Sequence, residues 1–371
     1  MKRILITTES LNIGGVETAL LSLIKELKKY DVEVDLKVLS HGILSKEFEQ
    51  ICNVEEIPIK RAKNLLLNRV LKNIICKSLL KKYKNNKEYD IAIAYYGINN
   101  YTDMYAAAAN AKEKFIWVHC NFDDLYTLSN HKLIIKIRNK IISKKFSYFD
   151  KIIAVSDSSK IGFLKIFKAN FEKIEVINNL FDLNKLNCSK EKLDININGN
   201  NNMIYIGRLD KLKNVNTLIS QFCKVKEEIR DAKLYIVGDG PEKNNLMILS
   251  KEQKLEDSII FLGVQSNPLK YLNKMALCVT ASKTETLSMN LIESLAMKKY
   301  FVSTDNNGAQ DVFYKINKAN FNNGIICKEN YMYYHIIYYL KNRKTIMPNY
   351  NIELYNKKNV EKITNLFHLN N

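Results

Sequence analysis

The sequence predicts an α/β protein of two doubly wound domains, each a parallel sheet with helices on both faces. Short apolar runs of strand length alternate with longer stretches whose apolar residues recur at helical spacing, which is typical of parallel sheets wrapped by helices. The length of 371 residues accommodates two domains of ordinary size. A polar run without periodicity, residues 194–202, separates the two series of strands.

The first domain is predicted to span residues 1–178. Its opening run, Ile4 to Thr8, is apolar enough for a buried strand, and Asn12-Ile-Gly-Gly-Val-Glu leads into a helix from Thr18 to Leu27. Its predicted strands lie near 3–8, 33–39, 90–95, 114–118, 151–155 and 174–177.

The second domain is predicted over residues 179–350, with the crossing between domains at 178–185 and a loop or mobile connector at 187–201. The tail, residues 351–371, carries Val360, Ile363 and Phe367 at helical intervals and is expected to form a closing helix. The predicted strands of the second domain lie near 203–206, 233–237, 259–262, 277–280, 300–303 and 324–326.

The composition is that of a soluble globular protein, with 46% hydrophobic and 26% charged residues. The opening MKRILITTES has too short an apolar part for a signal peptide, and no apolar run approaches the length of a membrane span. The seven cysteines are scattered and never spaced Cys-x-x-Cys, which favours reduced thiols over disulfides or a zinc site. We therefore expect a cytoplasmic protein.

The net charge of +18 raises the question of nucleic-acid binding. Only seven of the 57 basic residues are arginine, and asparagine is also abundant, so much of the excess is explained by AT-rich coding. No RNP, zinc-finger or helix-turn-helix pattern accompanies the charge. We do not expect a nucleic-acid partner.

One basic segment stands apart from this general excess. Residues 60–87 contain ten lysines and arginines and no acid, with apolar residues threaded through them at helical spacing. Such a helix can lie on anionic lipid, each lysine near the surface contributing about 1 kcal/mol. It can equally be a surface helix whose apolar face meets its own domain, and the sequence leaves both interpretations open.

Glycines and cations gather where predicted strands end. Gly14 and Gly15 stand between the first strand and the first helix, where a phosphate or a sugar can approach the backbone closely, although a tight turn would use the same residues. Gly207 ends the strand at 203–206 and is followed by Arg208 and Lys213, which offer a planar fork and a point charge for phosphate. These positions are compatible with an anion-binding edge, although an arginine or a lysine after a strand is also commonly just exposed to solvent.

Glu285 and Glu293 lie eight positions apart, after the predicted strand 277–280. Glu285 is expected on the strand-to-helix loop, and Glu293 about one turn inside the helix that follows. Two carboxylates there can hold a ligand with several hydroxyls, while the backbone amides of residues 286–288 face an anion. This geometry indicates a sugar nucleotide, although the spacing alone also fits two solvated surface carboxylates.

Five segments in this order and spacing, GGVE, GRLDKLKN, VGDGP, FLG and E-x7-E, resemble glycosyltransferase family 4. The resemblance covers residues 1–365 and is strongest from 203 to 313. It implies retaining enzymes of the GT-B fold, in which two Rossmann-like domains face a central cleft and a closing helix returns to pack on the first domain.

The resemblance also implies the donor site. Arg208 and Lys213, together with Gly14 and Gly15, would bind the diphosphate of the nucleotide sugar. Glu293 would accept hydrogen bonds from the ribose hydroxyls.

The catalytic positions implied are Glu285, at the transferring sugar, and His119, near the sugar and phosphate. Thr286, Leu287 and Ser288 would line the ribose and sugar. The family often has glycine where this sequence has Thr286, which alters the amide geometry beside the sugar. No cofactor is expected, with the nucleotide sugar as substrate.

No metal is expected either. The sequence has no Asp-x-Asp pair at a strand end, and Asp123 and Asp124 are adjacent, so their side chains diverge. Arg208 and Lys213 can perform the task of a divalent ion.

The sequence therefore predicts a retaining, metal-independent glycosyltransferase that moves a sugar from a nucleotide sugar to a glycan or lipid-linked acceptor. We expect it to act in bacterial cell-surface polysaccharide synthesis, in the cytoplasm or peripherally on the inner face of the plasma membrane. The alternatives are a nucleotide-sugar epimerase of the same fold and a non-catalytic basic protein bound to membrane or nucleic acid. The sequence does not identify the donor nucleotide, the sugar or the acceptor.

Overall fold

The computed structural model describes residues 1–57, 87–97, 100–120, 143–167, 171–188, 191–193 and 195–369. The chain forms two compact units: unit 1 is Met1–Leu180 with Lys358–Asn371, and unit 2 is Phe181–Lys357. The basic segment 60–87, apart from Lys87, lies outside the described residues, as do Asp123 and Asp124.

Unit 1 contains a seven-stranded parallel sheet in the order β3-β2-β1-β4-β5-β6-β7. The middle residues of its interior strands are buried on both faces because helices cover both sides of such a sheet. The strands are β1 Lys2–Ser10, β2 Val32–Ser40, β3 Asn53–Glu56, β4 Tyr89–Ala94, β5 Ala111–Val118, β6 Lys151–Ala154 and β7 Ile174–Val176.

Five helices are described in or entering unit 1. The last of them begins in unit 2 and ends in unit 1, where Ile363, Leu366 and Phe367 are buried. The helices are α1 Gly15–Leu27, α2 Ser45–Glu49, α3 Asn100–Ala108, α4 Asp157–Ile166 and α12 Ile352–Leu366.

Unit 2 contains a six-stranded parallel sheet in the order β10-β9-β8-β11-β12-β13. The strands are β8 Asn202–Ile206, β9 Lys233–Val237, β10 Ile259–Gly263, β11 Leu277–Thr280, β12 Tyr300–Thr304 and β13 Gly324–Cys327. Its described helices are α5 Asn184–Cys188, α6 Val215–Glu228, α7 Lys243–Glu252, α8 Leu269–Leu272, α9 Met289–Ala296, α10 Asn307–Gln310 and α11 Met332–Asn342.

The strand order reverses at one point in each sheet, between β1 and β4 in unit 1 and between β8 and β11 in unit 2. Loops that leave the two strands on either side of such a point diverge, and the crevice between them is where open α/β sheets bind ligands. The segments after β8 and β11 therefore face each other, and these carry Arg208 and Glu285.

The predicted α/β class with two doubly wound parallel sheets is confirmed, and all twelve predicted strands are present. The strand β3 was not predicted, because it is a short edge strand with the sequence NVEE and lacks an apolar pattern. The first helix begins at Gly15, three residues before the predicted Thr18. The predicted connector at 187–201 overlaps the end of α5.

Candidate functional site

Arg208 leaves the end of β8 through a sharp glycine turn. Gly207 has φ +156° and donates its backbone N–H to the Val237 carbonyl at 2.9 Å. A Cβ at Gly207 would lie 2.7 Å from the hydroxyl of Tyr205, which donates to the Arg208 carbonyl at 3.0 Å. The backbone of Arg208 is therefore fixed from beneath by a buried tyrosine.

The side chain of Arg208 is held by only one of its nitrogens. Its Nε donates to Oδ2 of Asp210 at 2.6 Å, while the side chain remains 71% exposed. Its two terminal nitrogens donate no hydrogen bond to any of the residues that the structure describes. The outer edge of the guanidinium can therefore offer the parallel N–H groups that bind an oxyanion in a bidentate manner.

Lys213 and Glu285 form an ion pair that joins the loop after β8 to the loop after β11. The Lys213 ammonium lies 2.6 Å from Oε1 of Glu285, and these side chains are 25% and 13% exposed. The hydroxyl of Ser282 donates to the same Oε1 at 2.8 Å. The other carboxylate oxygen of Glu285 accepts no hydrogen bond within the described part of the chain, so it can bind a ligand hydroxyl.

The loop that carries Glu285 is fixed by residues that follow β12. Thr304 Oγ1 and Asn306 Nδ2 both donate to the Ser282 carbonyl, at 2.7 and 3.0 Å. Gly308 packs directly on Glu285, since a Cβ at Gly308 would lie 2.6 Å from the Glu285 Cβ and 2.7 Å from its carbonyl oxygen. The position of Glu285 is thus set from two directions.

Glu293 lies four residues into α9, as predicted, and is half-buried. Its carboxylate makes no hydrogen bond or ion pair in the described residues. Burial raises the pKa of Glu293, and the nearby charge of Lys185 partly opposes that rise. A half-buried carboxylate without a donor is costly in the unliganded protein, and ligand hydroxyls would remove that cost.

The residues between the two glutamates are placed close to the start of α9. Leu287 and Ser288 are buried and Thr286 is half-buried. Ser288 is the N-cap of α9 but does not cap it with its side chain, and its buried hydroxyl has no partner in the described residues. Most buried side-chain hydroxyls in folded proteins have a hydrogen-bond partner, so this one is an exception.

In unit 1, Gly14 is the N-cap of α1 in an extended conformation, and Gly15 begins the helix. A Cβ at Gly14 would lie 2.4 Å from a carboxylate oxygen of Glu17, whereas a Cβ at Gly15 would meet nothing within 4 Å. A carboxylate therefore already lies beside the positive end of this helix. This acidic neighbour would repel a diphosphate beside Gly14 and Gly15, which is the ligand that the sequence predicts there.

His119 follows β5, and its ring lies 4.6 Å from the ring of Tyr95, which follows β4. Burial lowers the pKa of His119 to about 3, so the imidazole is neutral near pH 7. A neutral imidazole can donate or accept a hydrogen bond but cannot serve as a cation for phosphate. Gly14 and Glu17 follow β1, Tyr95 follows β4 and His119 follows β5, so all four residues come after neighbouring parallel strands at one edge of the sheet of unit 1.

The structure therefore brings Lys213 and Glu285 into contact and places Arg208 on the same loop as Lys213. Glu293 shares no hydrogen bond or ion pair with these residues in the described part of the chain. Gly14, Gly15 and His119 belong to unit 1.

Sequence reasoning missed four supporting residues: Tyr205, Asp210, Ser282 and Gly308. Asp210 could have been found, because an aspartate before two loop residues is typical of a side chain that caps backbone amides. Gly308 gave no usable signal, because its contact is with a residue 23 positions away.

Among the described residues, no group of three His, Cys, Asp or Glu side chains could hold a metal ion. None of the described helices combines the length and the apolar character needed to cross a membrane.

Two family models match the chain one after the other. Residues 13–185 match the model described as Glycosyltransferase Family 4, and residues 189–349 match the model described as Glycosyl transferases group 1. The two ranges correspond closely to units 1 and 2.

Among curated proteins, the chain is 29% identical over 320 residues to the N-acetylgalactosamine-N,N'-diacetylbacillosaminyl-diphospho-undecaprenol 4-alpha-N-acetylgalactosaminyltransferase of Campylobacter jejuni, a match that covers 84% of each protein. It is 32% identical over 202 residues to an uncharacterized glycosyltransferase of Methanocaldococcus jannaschii, covering 53% of this chain and 49% of the relative.

Among solved structures, the fold is similar to that of Anabaena HepE in complex with UDP and glucose, with a TM-score of 0.73, 16% identity, and coverage of 98% of this chain and 100% of the other. It is also similar to Staphylococcus aureus TarM in a complex with UDP, with a TM-score of 0.69, 14% identity, and coverage of 99% and 97%. At these identities the likeness concerns the fold.

Proposed function

The chain belongs to the group 1 and family 4 glycosyltransferases, and we propose that it is a retaining, metal-independent enzyme that moves a sugar from a nucleotide sugar to a glycan or lipid-linked acceptor. The resemblance on which the sequence prediction rested is thereby confirmed.

One observation carries this proposal: the outer edge of the Arg208 guanidinium is open to a ligand, on the loop whose Lys213 contacts Glu285 at 2.6 Å. Breaking a sugar–phosphate bond builds negative charge on the departing nucleoside diphosphate. Cations that are already oriented stabilise that charge without reorganising during the reaction. Lys213 supplies the second positive charge, and its ion pair with Glu285 fixes the position of its ammonium group.

Glu285 is best suited to hold the sugar rather than to attack it. Its Oε1 is occupied by Lys213 and Ser282, and an ion-paired carboxylate is a weakened nucleophile. Its remaining oxygen can bind a sugar hydroxyl, and its charge favours the positive character that develops at the anomeric carbon. Retention then follows from a front-face route in which the leaving phosphate accepts the proton of the acceptor.

The same two cations support turnover without a metal ion. Arg208 and Lys213 supply the positive charge that a divalent ion would otherwise supply between two phosphates. Glu293 and Ser288 carry unsatisfied polar groups near the start of α9 and would bind hydroxyls of the donor.

The relatives indicate which donors to test first. The Campylobacter relative is named for transfer of N-acetylgalactosamine to an undecaprenol-linked acceptor, and the HepE structure contains UDP. We propose a UDP-linked N-acetylhexosamine as the donor and a lipid-linked glycan as the acceptor. Such acceptors lie at the cytoplasmic face of a membrane, which is where we place the protein, with the basic segment 60–87 as the contact with anionic lipid.

The test is an incubation of the purified protein with UDP-, GDP- and ADP-sugars, each with and without a lipid-linked glycan acceptor. Transfer or slow hydrolysis of a UDP-sugar is the expected result, and the product linkage should keep the α-anomeric configuration of the donor. Epimerised donor in the absence of acceptor would instead identify an epimerase. No change in any donor, by a protein that also binds no nucleotide, would contradict the proposal.

A further inference from the structure

We propose that Asp210 is a positioning residue, which holds Arg208 and Lys213 in the relative arrangement that one diphosphate requires. This inference rests on the proposed function, because it concerns how the same two cations are presented.

Asp210 contacts both cationic residues through different oxygens. Its Oδ2 accepts the Arg208 Nε–H at 2.6 Å. Its Oδ1 accepts the backbone N–H groups of Leu212 and Lys213 at 2.9 and 3.0 Å. Lys213 also donates its backbone N–H to the Asp210 carbonyl, at 3.2 Å. The side chain of Asp210 is only 14% exposed, whereas that of Arg208 is 71% exposed.

The choice of Nε is important for the orientation of Arg208. A carboxylate that bound the outer edge of the guanidinium would occupy the groups that bind phosphate. Binding at Nε instead fixes the plane of the guanidinium and leaves the outer edge open to a ligand. An exposed arginine loses side-chain entropy when a ligand immobilises it. Because Asp210 already restricts Arg208 in the unliganded protein, less entropy is lost on binding.

Only a carboxylate can make all three contacts. Three N–H donors converge on Asp210, from two backbone amides and one guanidinium, and both of its oxygens accept. An asparagine has a single acceptor oxygen, and its amide group is a donor. In Asp210→Asn the oxygen can still accept the two amides, so the turn is retained, but the amide nitrogen faces Arg208 and releases it.

Asp210→Asn therefore separates the two roles of this residue, which are to accept the backbone amides of the turn and to orient Arg208. We expect the variant to bind UDP about ten- to a hundredfold more weakly than the wild type by calorimetry, since a charge-assisted contact no longer orients Arg208. The donor KM should rise by a similar factor, while the acceptor KM stays at the wild-type value. The melting temperature should change little, because the turn is kept.

A double-mutant cycle with Arg208→Ala tests whether Asp210 acts through Arg208. If it does, Asp210→Asn adds nothing to the loss of UDP affinity that Arg208→Ala already causes. A general disturbance of the loop would instead weaken binding further in that background. Glu228→Gln is the matched control, because Glu228 is an exposed carboxylate of unit 2 that pairs with Lys341 at 3.1 Å.

The outcomes distinguish the inference from the function on which it rests. Wild-type UDP affinity in Asp210→Asn, with weakened binding in Arg208→Ala, would overturn the inference and leave the proposed function intact. Additive losses in the cycle would likewise overturn the positioning role. If the wild type bound none of UDP, GDP and ADP, the proposed function would fail and the inference with it.

Discussion

Lys213 and Glu285 are 72 positions apart in the chain and 2.6 Å apart in the fold, where they join the loops that leave the two central strands of unit 2. The pair places a cation for phosphate next to a carboxylate for the sugar at the point where the strand order reverses. Each partner keeps part of its hydrogen-bonding capacity for a ligand.

Ser282→Ala should lower kcat by about five- to tenfold, because Glu285 loses one of the two donors that orient its Oε1. Ser282→Thr keeps a hydroxyl and should recover most of the activity. In the background of Glu285→Ala, which removes the acceptor of the Ser282 hydroxyl, Ser282→Ala should have no further effect on the rate. Ser220→Ala, on the exposed face of α6, is the control. An equal loss from Ser282→Ala in both backgrounds would show that the serine acts independently of Glu285.

Gly308→Ala should reduce turnover by at least about tenfold, because the added methyl would meet the Glu285 backbone, which cannot move aside as a flexible side chain would. The melting temperature should also fall. Gly15→Ala, whose added methyl meets nothing within 4 Å, should keep the melting temperature of the wild type. Full activity of Gly308→Ala would show that Glu285 need not be held in this position.

Glu293→Gln should weaken nucleotide-sugar binding by about 1.5–3 kcal/mol, since ribose hydroxyls lose a charged acceptor. The ligand-free variant should nevertheless melt at a higher temperature than the wild type at pH 7. Burial raises the pKa of Glu293, so the folded protein loses stability as the pH rises through that pKa and the buried group ionises.

Glutamine has no such ionisation, and the difference in melting temperature should therefore disappear as the pH falls below the ordinary glutamate pKa. Thermal melts at a series of pH values, with and without UDP, measure both effects. A variant that is less stable than the wild type at every pH would show that Glu293 is already satisfied in the folded protein.

Turnover should persist in excess EDTA, because Arg208 and Lys213 take the place of a divalent ion at the diphosphate. The measurement is the initial rate before and after dialysis against chelator, with Mg²⁺ and Mn²⁺ added back. Activity that is lost on chelation and restored by either ion would show that the two cations are not sufficient.

The protein should sediment with anionic vesicles and be released by salt, since exposed charges are screened within about 8–10 Å at physiological ionic strength. Reversal of four lysines in the basic segment to glutamate should abolish sedimentation while UDP binding is kept. The four residues are Lys72, Lys77, Lys81 and Lys82.

The control for this experiment reverses four exposed lysines of unit 2 and so changes the net charge by the same amount. The control residues are Lys251, Lys254, Lys298 and Lys344. If both variants lost vesicle binding equally, the cause would be total charge rather than the basic segment.

The parts of the fold that could be predicted from the sequence are those that depend on local patterns of apolar and polar residues. Most of the twelve predicted strands are largely apolar runs, because strands of a parallel sheet are buried on both faces. The strand β3 was not predicted, because an edge strand does not need an apolar run. The same holds for the site residues. Arg208, Lys213 and Glu285 lie in loops that follow apolar strands, so their place at the end of a strand could be predicted.

The supporting residues could not be predicted, because their roles come from packing between distant segments. Gly308 was unremarkable in the sequence until the fold placed it against Glu285. Ser282 is an ordinary loop serine in the sequence, and its role depends on the hydrogen bond that its hydroxyl donates to the Glu285 carboxylate in the fold. The pKa of His119 also depends on burial that no local pattern reveals.

The two ends of the described chain meet in unit 1, where the Lys2 ammonium donates to the carbonyls of Phe367 and His368 at 2.7 Å each, and Phe367 stacks on Phe115. On the ribosome, these closing residues emerge only after the whole of unit 2 has been synthesised. Unit 2 is continuous in sequence, so all of its residues are synthesised before the last element of unit 1 is. Translation therefore begins unit 1 before unit 2 but completes unit 2 before unit 1.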